Sequence, residues 1–274
     1  MSVRDILQKY AAEGPKRATY FLDLKGKAPE FGHLADEPMP CASVIKLAVA
    51  MALYKSGQDL SQRVPIASLN QSLYCSLFEV FEHTKDVSLG ELANIMLIIS
   101  DNPATTEITK RVGMDNVNKL MRNLGCSKHA MMAMDFSDRD ETADWRSNIL
   151  TARDCGILLR EIATNPVYKR LRHLLVHSLR NNRLAAKLPE QVQIAHKTGT
   201  ISGMANDAAL VTEGPPATSP VEYILVCLWA DEVPNSVNNA QGELGLAVHK
   251  AMMEGHPHAA PQHRIWLHES AVGS

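Results

Sequence analysis

The chain has 274 residues, with 28 lysines and arginines against 30 aspartates and glutamates and a formal charge of −2. That balance excludes the basic excess of a nucleic-acid binder, and 45% hydrophobic with 21% charged residues excludes disorder as the main state. No apolar run approaches the roughly 20 residues of a membrane span, so one to two soluble domains of about 150 residues each are expected.

The opening residues MSVRDILQKYAAEGPK contain no apolar signal core, which leads to an expectation of cytoplasmic location, or of export if a leader preceded them. Residues 17–24 (RATYFLDL) read as a strand after a short N-terminal helix. Residues 43–54 are apolar enough for a buried helix, and residues 87–99 for another, with Ser88 as its N-cap ahead of Glu91. Amphipathic helices are expected over 117–124 and 151–163, the second capped by Thr151. Residues 135–148 (DFSDRDETADWRSN) are acid-rich and aperiodic, a long loop of the kind that is functional or disordered.

Beyond Leu188 the pattern changes to strands at 193–200, 207–212 and 221–230, with Gly214-Pro215-Pro216 separating the last two. A closing helix is expected over 240–253. Strands at both chain ends around a helical block imply an α+β fold, an antiparallel sheet flanked by helices with an inserted all-helical domain. The expected sheet domain comprises residues 1–35 plus 186–274, and the helical domain residues 36–185.

The five cysteines (Cys41, Cys75, Cys126, Cys155, Cys227) are odd in number and form no C-x-x-C pair. They read as free thiols in a reducing compartment rather than a disulfide or zinc framework. Lys46 is the more informative residue, because it interrupts an otherwise uncharged run from Val44 to Met51. Taken alone it fits a lysine reaching from a helix end to water as well as a buried amine. Ser43 and Lys46 stand at i and i+3 on one helix face, so hydroxyl and amine can meet. A desolvated lysine loses basicity and can then accept the serine proton.

A serine and lysine so spaced recur by chance about once in a chain of this size. Ser100-Asp101-Asn102 follows an apolar segment and precedes Pro103, and by itself fits a helix-to-loop turn. Lys197-Thr198-Gly199 ends a strand and by itself fits a lysine-tipped edge running into a turn. Each triplet recurs by chance in only a few per cent, roughly, of chains this long. The three in this order are the signature set of an active-site serine superfamily.

On these motifs the chain resembles class A β-lactamases and penicillin-binding proteins, over residues 17–253. The resemblance implies a β-lactamase-like fold and a serine acyl hydrolase acting on β-lactams or related amides. Ser43 would be the acylated nucleophile, Lys46 its proton partner, Ser100 a relay to the leaving group and Lys197 a source of positive potential. Asn102 and Thr198 would contact the substrate amide or carboxylate, with Thr200 beside them. The backbone N–H groups of Ser43 and Thr200 would form the oxyanion hole, whose single donors are each worth about 3–4 kcal/mol in a transition state. Asp101 is expected to fix its loop.

The chain also departs from that family. Its long loop lacks the Glu-x-x-x-Asn of class A enzymes and offers Asp135, Asp138, Asp140, Glu141 and Asp144 instead. Asp135 stands at a comparable distance from the serine triplet and is the expected deacylation base, although one methylene shorter. The strand residues Met204–Ala208 lack the arginine that many of these enzymes turn toward the substrate carboxylate. With the missing leader, these departures leave two alternatives open, a cytoplasmic esterase or acyltransferase of small-molecule metabolism and a slowly deacylating penicillin-binding sensor without turnover.

No cofactor is expected, since there is no glycine-rich phosphate loop or dinucleotide fingerprint, and the expected partner is a small acyl substrate, with no nucleic acid and no membrane. No metal is expected either: His173 and His177 have zinc-compatible spacing but no partner glutamate or third ligand. His196 is expected to pack beside Lys197, and Cys41 to be a small buried residue. The histidines His256, His258, His263 and His268 read as tail decoration. The methionines Met131, Met132 and Met134 read as packing.

Overall fold

The structure is a computed structural model and describes residues 1–69, 76–137, 146–230 and 234–258. The chain opens with α1 (Val3–Ala12), whose first turn is closed by reciprocal Ser2 and Asp5 hydrogen bonds. Strands β1 (Lys16–Asp23) and β2 (Phe31–His33) follow, then the two-residue strand β3 (Met39–Pro40). A 3-10 turn over Ala42–Ile45 leads directly into α2 (Lys46–Lys55). The expected single helix over 43–54 therefore starts with a tighter turn, so Ser43 and Lys46 lie on either side of a change in winding.

Short strands β4 (Arg63–Pro65) and β5 (Asp86–Ser88) pair with each other ahead of α3 (Leu89–Ile98). Ser88 caps α3 with Glu91 as its capping-box partner, as its position ahead of an apolar run requires. Ser100-Asp101-Asn102 does not close a helix into a loop; it opens α4 (Asn102–Val112). The physical reason lies in its own residues, since Asp101 caps the Ala104 N–H and Pro103 sits in the first turn, where a missing N–H costs nothing. Helices α5 (Met114–Asn123) and α6 (Ala152–Thr164) flank β6 (Ile149–Leu150), and α6 carries the Thr151 cap. Helix α7 (Lys169–Leu175) completes the helical block.

Strands β7 (Val192–Ile201), β8 (Met204–Glu213) and β9 (Glu222–Ala230) then join β1 and β2 in one five-stranded sheet of order β2-β1-β9-β8-β7, followed by α8 (Pro234–Met252). All its pairings are antiparallel, and β7, which carries Lys197-Thr198-Gly199, forms one edge. Both faces are covered, which explains why β8 is buried at every position and why these strands read as near-continuous apolar runs. Ala18, Tyr20, Ile224 and Val226 face the helical block, while Phe21, Tyr223, Leu225 and Trp229 face α1 and α8.

Helix α2 is apolar on all sides, and Lys46 to Leu53 are buried without a break, as expected of a helix surrounded by others. It belongs to one apolar cluster that also includes the inner sheet face. That cluster includes residues on both sides of the expected boundaries at 35/36 and 185/186. No helix among the described residues is long and apolar enough to cross a membrane.

Against the other face, Gly245 of α8 rests on the chain at Leu184, where an added Cβ would stand 2.4 Å from the Leu184 carbonyl oxygen. Gly245→Ala is expected to destabilise the protein by about 1–3 kcal/mol through overpacking, although alanine is the better helix former. A lowered urea midpoint with an unchanged slope checks this.

Candidate active site

The three motifs converge on one hydroxyl. Ser100 Oγ accepts a hydrogen bond from Lys197 Nζ at 2.9 Å and from Lys46 Nζ at 3.3 Å. Lys46 Nζ also donates to the Ser100 carbonyl and to Asn102 Oδ1, both at 2.7 Å, and Lys197 Nζ to the Thr198 carbonyl at 2.8 Å. Both lysines are at most 1% exposed, which excludes a lysine reaching out to water for Lys46. Buried charge is tolerated only where oxygens replace water, and these carbonyl and amide oxygens do so.

Each element delivers its residue for a local reason. Asp101 holds the Ser100–Asn102 turn by accepting from the Ala104 N–H at 2.8 Å and the Leu77 N–H at 3.0 Å, and burial raises its carboxyl above the ordinary range. Ser100 has φ of 67° and Ala42, just before the serine of the first motif, φ of 49°. Such left-handed non-glycine residues cost about 1–3 kcal/mol each and gather at functional sites. Ser43 itself is partly exposed at the end of the buried run.

Gly199 brings the strand edge against that serine. A Cβ there would lie 2.6 Å from the Cys41 carbonyl oxygen and 3.1 Å from the Ser43 backbone nitrogen, so only glycine permits this approach. Thr198 is buried and Thr200 exposed on the same edge strand. The far side of the turn is tied by Asn148, whose carbonyl accepts from the Cys41 N–H at 2.9 Å and whose side chain holds the Ala133 and Met134 N–H groups. Burial pushes the Cys41 thiol well above its ordinary range, in keeping with a packing role.

Sequence reasoning missed two residues here. Phe136 lays its ring 4.4 Å from Lys46 Nζ, a cation–π distance. Asp135 is turned elsewhere: its Oδ1 accepts from the Ser137 N–H at 3.0 Å and the Ser137 hydroxyl at 2.6 Å, and it lines a cleft with Thr106, Thr109 and Lys110. The chain bends at Phe136 while Asp135 closes on Ser137, so the two adjacent side chains part company and the ring is the one of the two that meets Lys46. Asp138, Asp140, Glu141 and Asp144 lie outside the described residues.

The second is Arg183, buried at 4% exposure. Its guanidinium donates to the Gly199 and Asn206 carbonyls at 2.8 and 2.6 Å, to Thr200 Oγ1 at 2.7 Å and to Asn238 Oδ1 at 2.9 Å. Burial lowers its basicity somewhat from the usual arginine value. The strand after the glycine has no arginine, yet one arrives behind Thr200 from fourteen residues before Lys197. No periodicity marks it; the string Arg180-Asn181-Asn182-Arg183 looks like a solvated loop.

The features set aside fall outside this cluster. His173 and His177 approach each other at 3.1 Å between Nε2 atoms at the end of α7. His196 is buried against Asp207, and His256 and His258 meet Lys27 and Glu213. Among the described residues no three histidine, cysteine or acidic side chains group to hold a metal. Cys75, His263 and His268 lie outside the described residues.

A sequence profile of the Beta-lactamase enzyme family matches residues 2–252. A β-lactamase of Bacillus licheniformis is 30% identical over 196 residues, 68% of this chain and 63% of the relative. The β-lactamase SME-1 of Serratia marcescens is 24% identical over 200 residues, 68% of each chain. Among solved structures, a β-lactamase from Sphaerobacter thermophilus superposes with a TM-score of 0.77 at 19% identity, covering 93% of this chain and 98% of the other. Gly199→Ala is expected to lower any reaction at Ser43 by about a hundredfold or more, since displacement by 1 Å suffices for that loss; initial rates at a temperature well below the variant's own thermal midpoint, which the overlap is expected to lower, would check it.

Proposed function

Since the chain belongs to the Beta-lactamase enzyme family, we propose that it hydrolyses β-lactams or related amides through an acyl-Ser43 intermediate. It is a serine hydrolase with the α+β fold of class A β-lactamases. The observation that carries the reading is the shared hydroxyl of Ser100, held between the lysines of the first and third motifs.

Lys46, the lysine of the first motif, serves as the proton partner of Ser43. Ser43 Oγ attacks the substrate carbonyl carbon and gives its proton to Lys46. The carbonyl oxygen, now an oxyanion, is received by the backbone N–H groups of Ser43 and Thr200. The C–N bond breaks, and the departing nitrogen takes a proton passed through Ser100 Oγ. Asn102 holds Lys46 by its side-chain oxygen and leaves its amide nitrogen for a substrate carbonyl. Thr198 and Thr200, backed by Lys197 and Arg183, offer hydroxyl donors and positive potential to a substrate carboxylate.

Clearance of the acyl group needs a base that activates water. Between the two neighbouring loop residues that the structure describes, Phe136 lays its ring against Lys46 and the Asp135 carboxylate is engaged by Ser137. Asp135 is therefore not expected to be that base.

Exposure to benzylpenicillin is expected to add one acyl group to the intact protein, and Ser43→Ala to abolish it; an unmodified wild-type mass overturns the reading. Phe136→Glu sets a carboxylate against Lys46 and is expected to shorten the life of that adduct by about 10²–10⁴-fold, the usual range for a positioned general base. Time-resolved intact mass after removal of free penicillin measures it.

A further inference from the structure

Arg183 reaches the site because its segment is held from behind, by residues that the chemistry above does not use. His196 and Asp207 lie on one face of the β7–β8 ladder, in the register that pairs Thr198 with Asp207 and His196 with Ala209. His196 Nδ1 is 2.9 Å from Asp207 Oδ1, and both residues are fully buried. The other ring nitrogen, Nε2, is 3.0 Å from Asn181 Oδ1, and Asp207 Oδ2 accepts from the Leu184 N–H at 3.2 Å. The pair thus fastens residues 181 and 184, on either side of Arg183.

A buried polar pair is weak evidence of stabilisation, because an apolar pair of like volume often does as well. What an apolar pair would not provide is direction: hydrogen bonds that fix residues 181 and 184 in register and so aim the side chain between them. Arg183 then spans the Gly199 and Asn206 carbonyls, which belong to facing strands, and reaches Thr200 Oγ1 at the exposed rim.

We propose that the His196–Asp207 pair, acting through Asn181 and Leu184, is a positioning device for Arg183 that makes the site select acyl substrates bearing a carboxylate. The inference rests on the acyl-Ser43 reading above for its substrate side. His196 and Asp207 touch no substrate. They are positioning residues, and their loss is felt at the carboxylate rather than at the acyl carbon.

The test compares second-order acylation of Ser43 by benzylpenicillin and by its methyl ester, which lacks only the free carboxylate. Asn181→Ala removes an exposed side chain and leaves the buried pair in place, so it keeps the test informative if His196→Phe fails to fold. Both variants are expected to slow benzylpenicillin about tenfold and the ester less than twofold, and Arg183→Ala in the His196→Phe background to add no further loss, as for residues acting as one unit. Equal losses on both probes, or none on either, overturn the proposal. Failure of both probes to acylate the wild type overturns the hydrolase reading instead. In that case the ¹⁵N-resolved guanidinium resonances of Arg183 decide the positioning alone: shifted in Asn181→Ala and His196→Phe they support it, and unchanged they overturn it.

Discussion

Two amines and one hydroxyl organise this molecule. Lys46 at the start of α2 and Lys197 on the edge strand β7 are both buried and both donate to Ser100 Oγ. Burying even one ammonium costs several kcal/mol unless protein oxygens take the place of water. The Ser100 and Thr198 carbonyls and the Asn102 amide are those oxygens, so helix, turn and strand cannot separate without stranding a cation. The left-handed backbone at Ser100 follows from the same demand, since it turns both the carbonyl and the hydroxyl of one residue toward Lys46.

The sheet and the helical block form one body for a related reason. Helix α2 has no polar face to give to solvent and is enclosed on all sides, so the inner face of the sheet and the surrounding helices must share a core with it. The outer face is closed separately by α1 and α8. At the border of these two packings Gly199 admits the Ser43 backbone, and Arg183 crosses from the α8 side to the rim at Thr200. The site is where the two packings meet, which is why it can combine a helix start, a turn and a strand edge.

Elements with strong local signals are legible in the amino-acid chain itself. The caps Ser88 and Thr151, the strands around Lys197 and the apolar helix after Ser43 all carry their cause within a few residues. The opening of α4 is legible in principle, because Asp101 and Pro103 are a helix start by local chemistry, yet the triplet also fits a turn. Asp135 illustrates the opposite case. Composition points to a carboxylate on the acidic loop, but side-chain direction on an irregular segment has no period to read, and of the two neighbours it is Phe136 that faces Lys46.

By itself the sequence determined the fold class, the long strands, the helices after Ser43, Ser88 and Thr151, and the three motifs, because helix periodicity, apolar runs and motif spacing are properties of neighbours along the chain. Only the tertiary structure decided that Ser100 Oγ lies between two lysines, that the ring of Phe136 lies against Lys46, and that Arg183 stands behind Thr200. Those contacts join residues separated by many positions, and their geometry depends on how the packed layers meet rather than on any local preference.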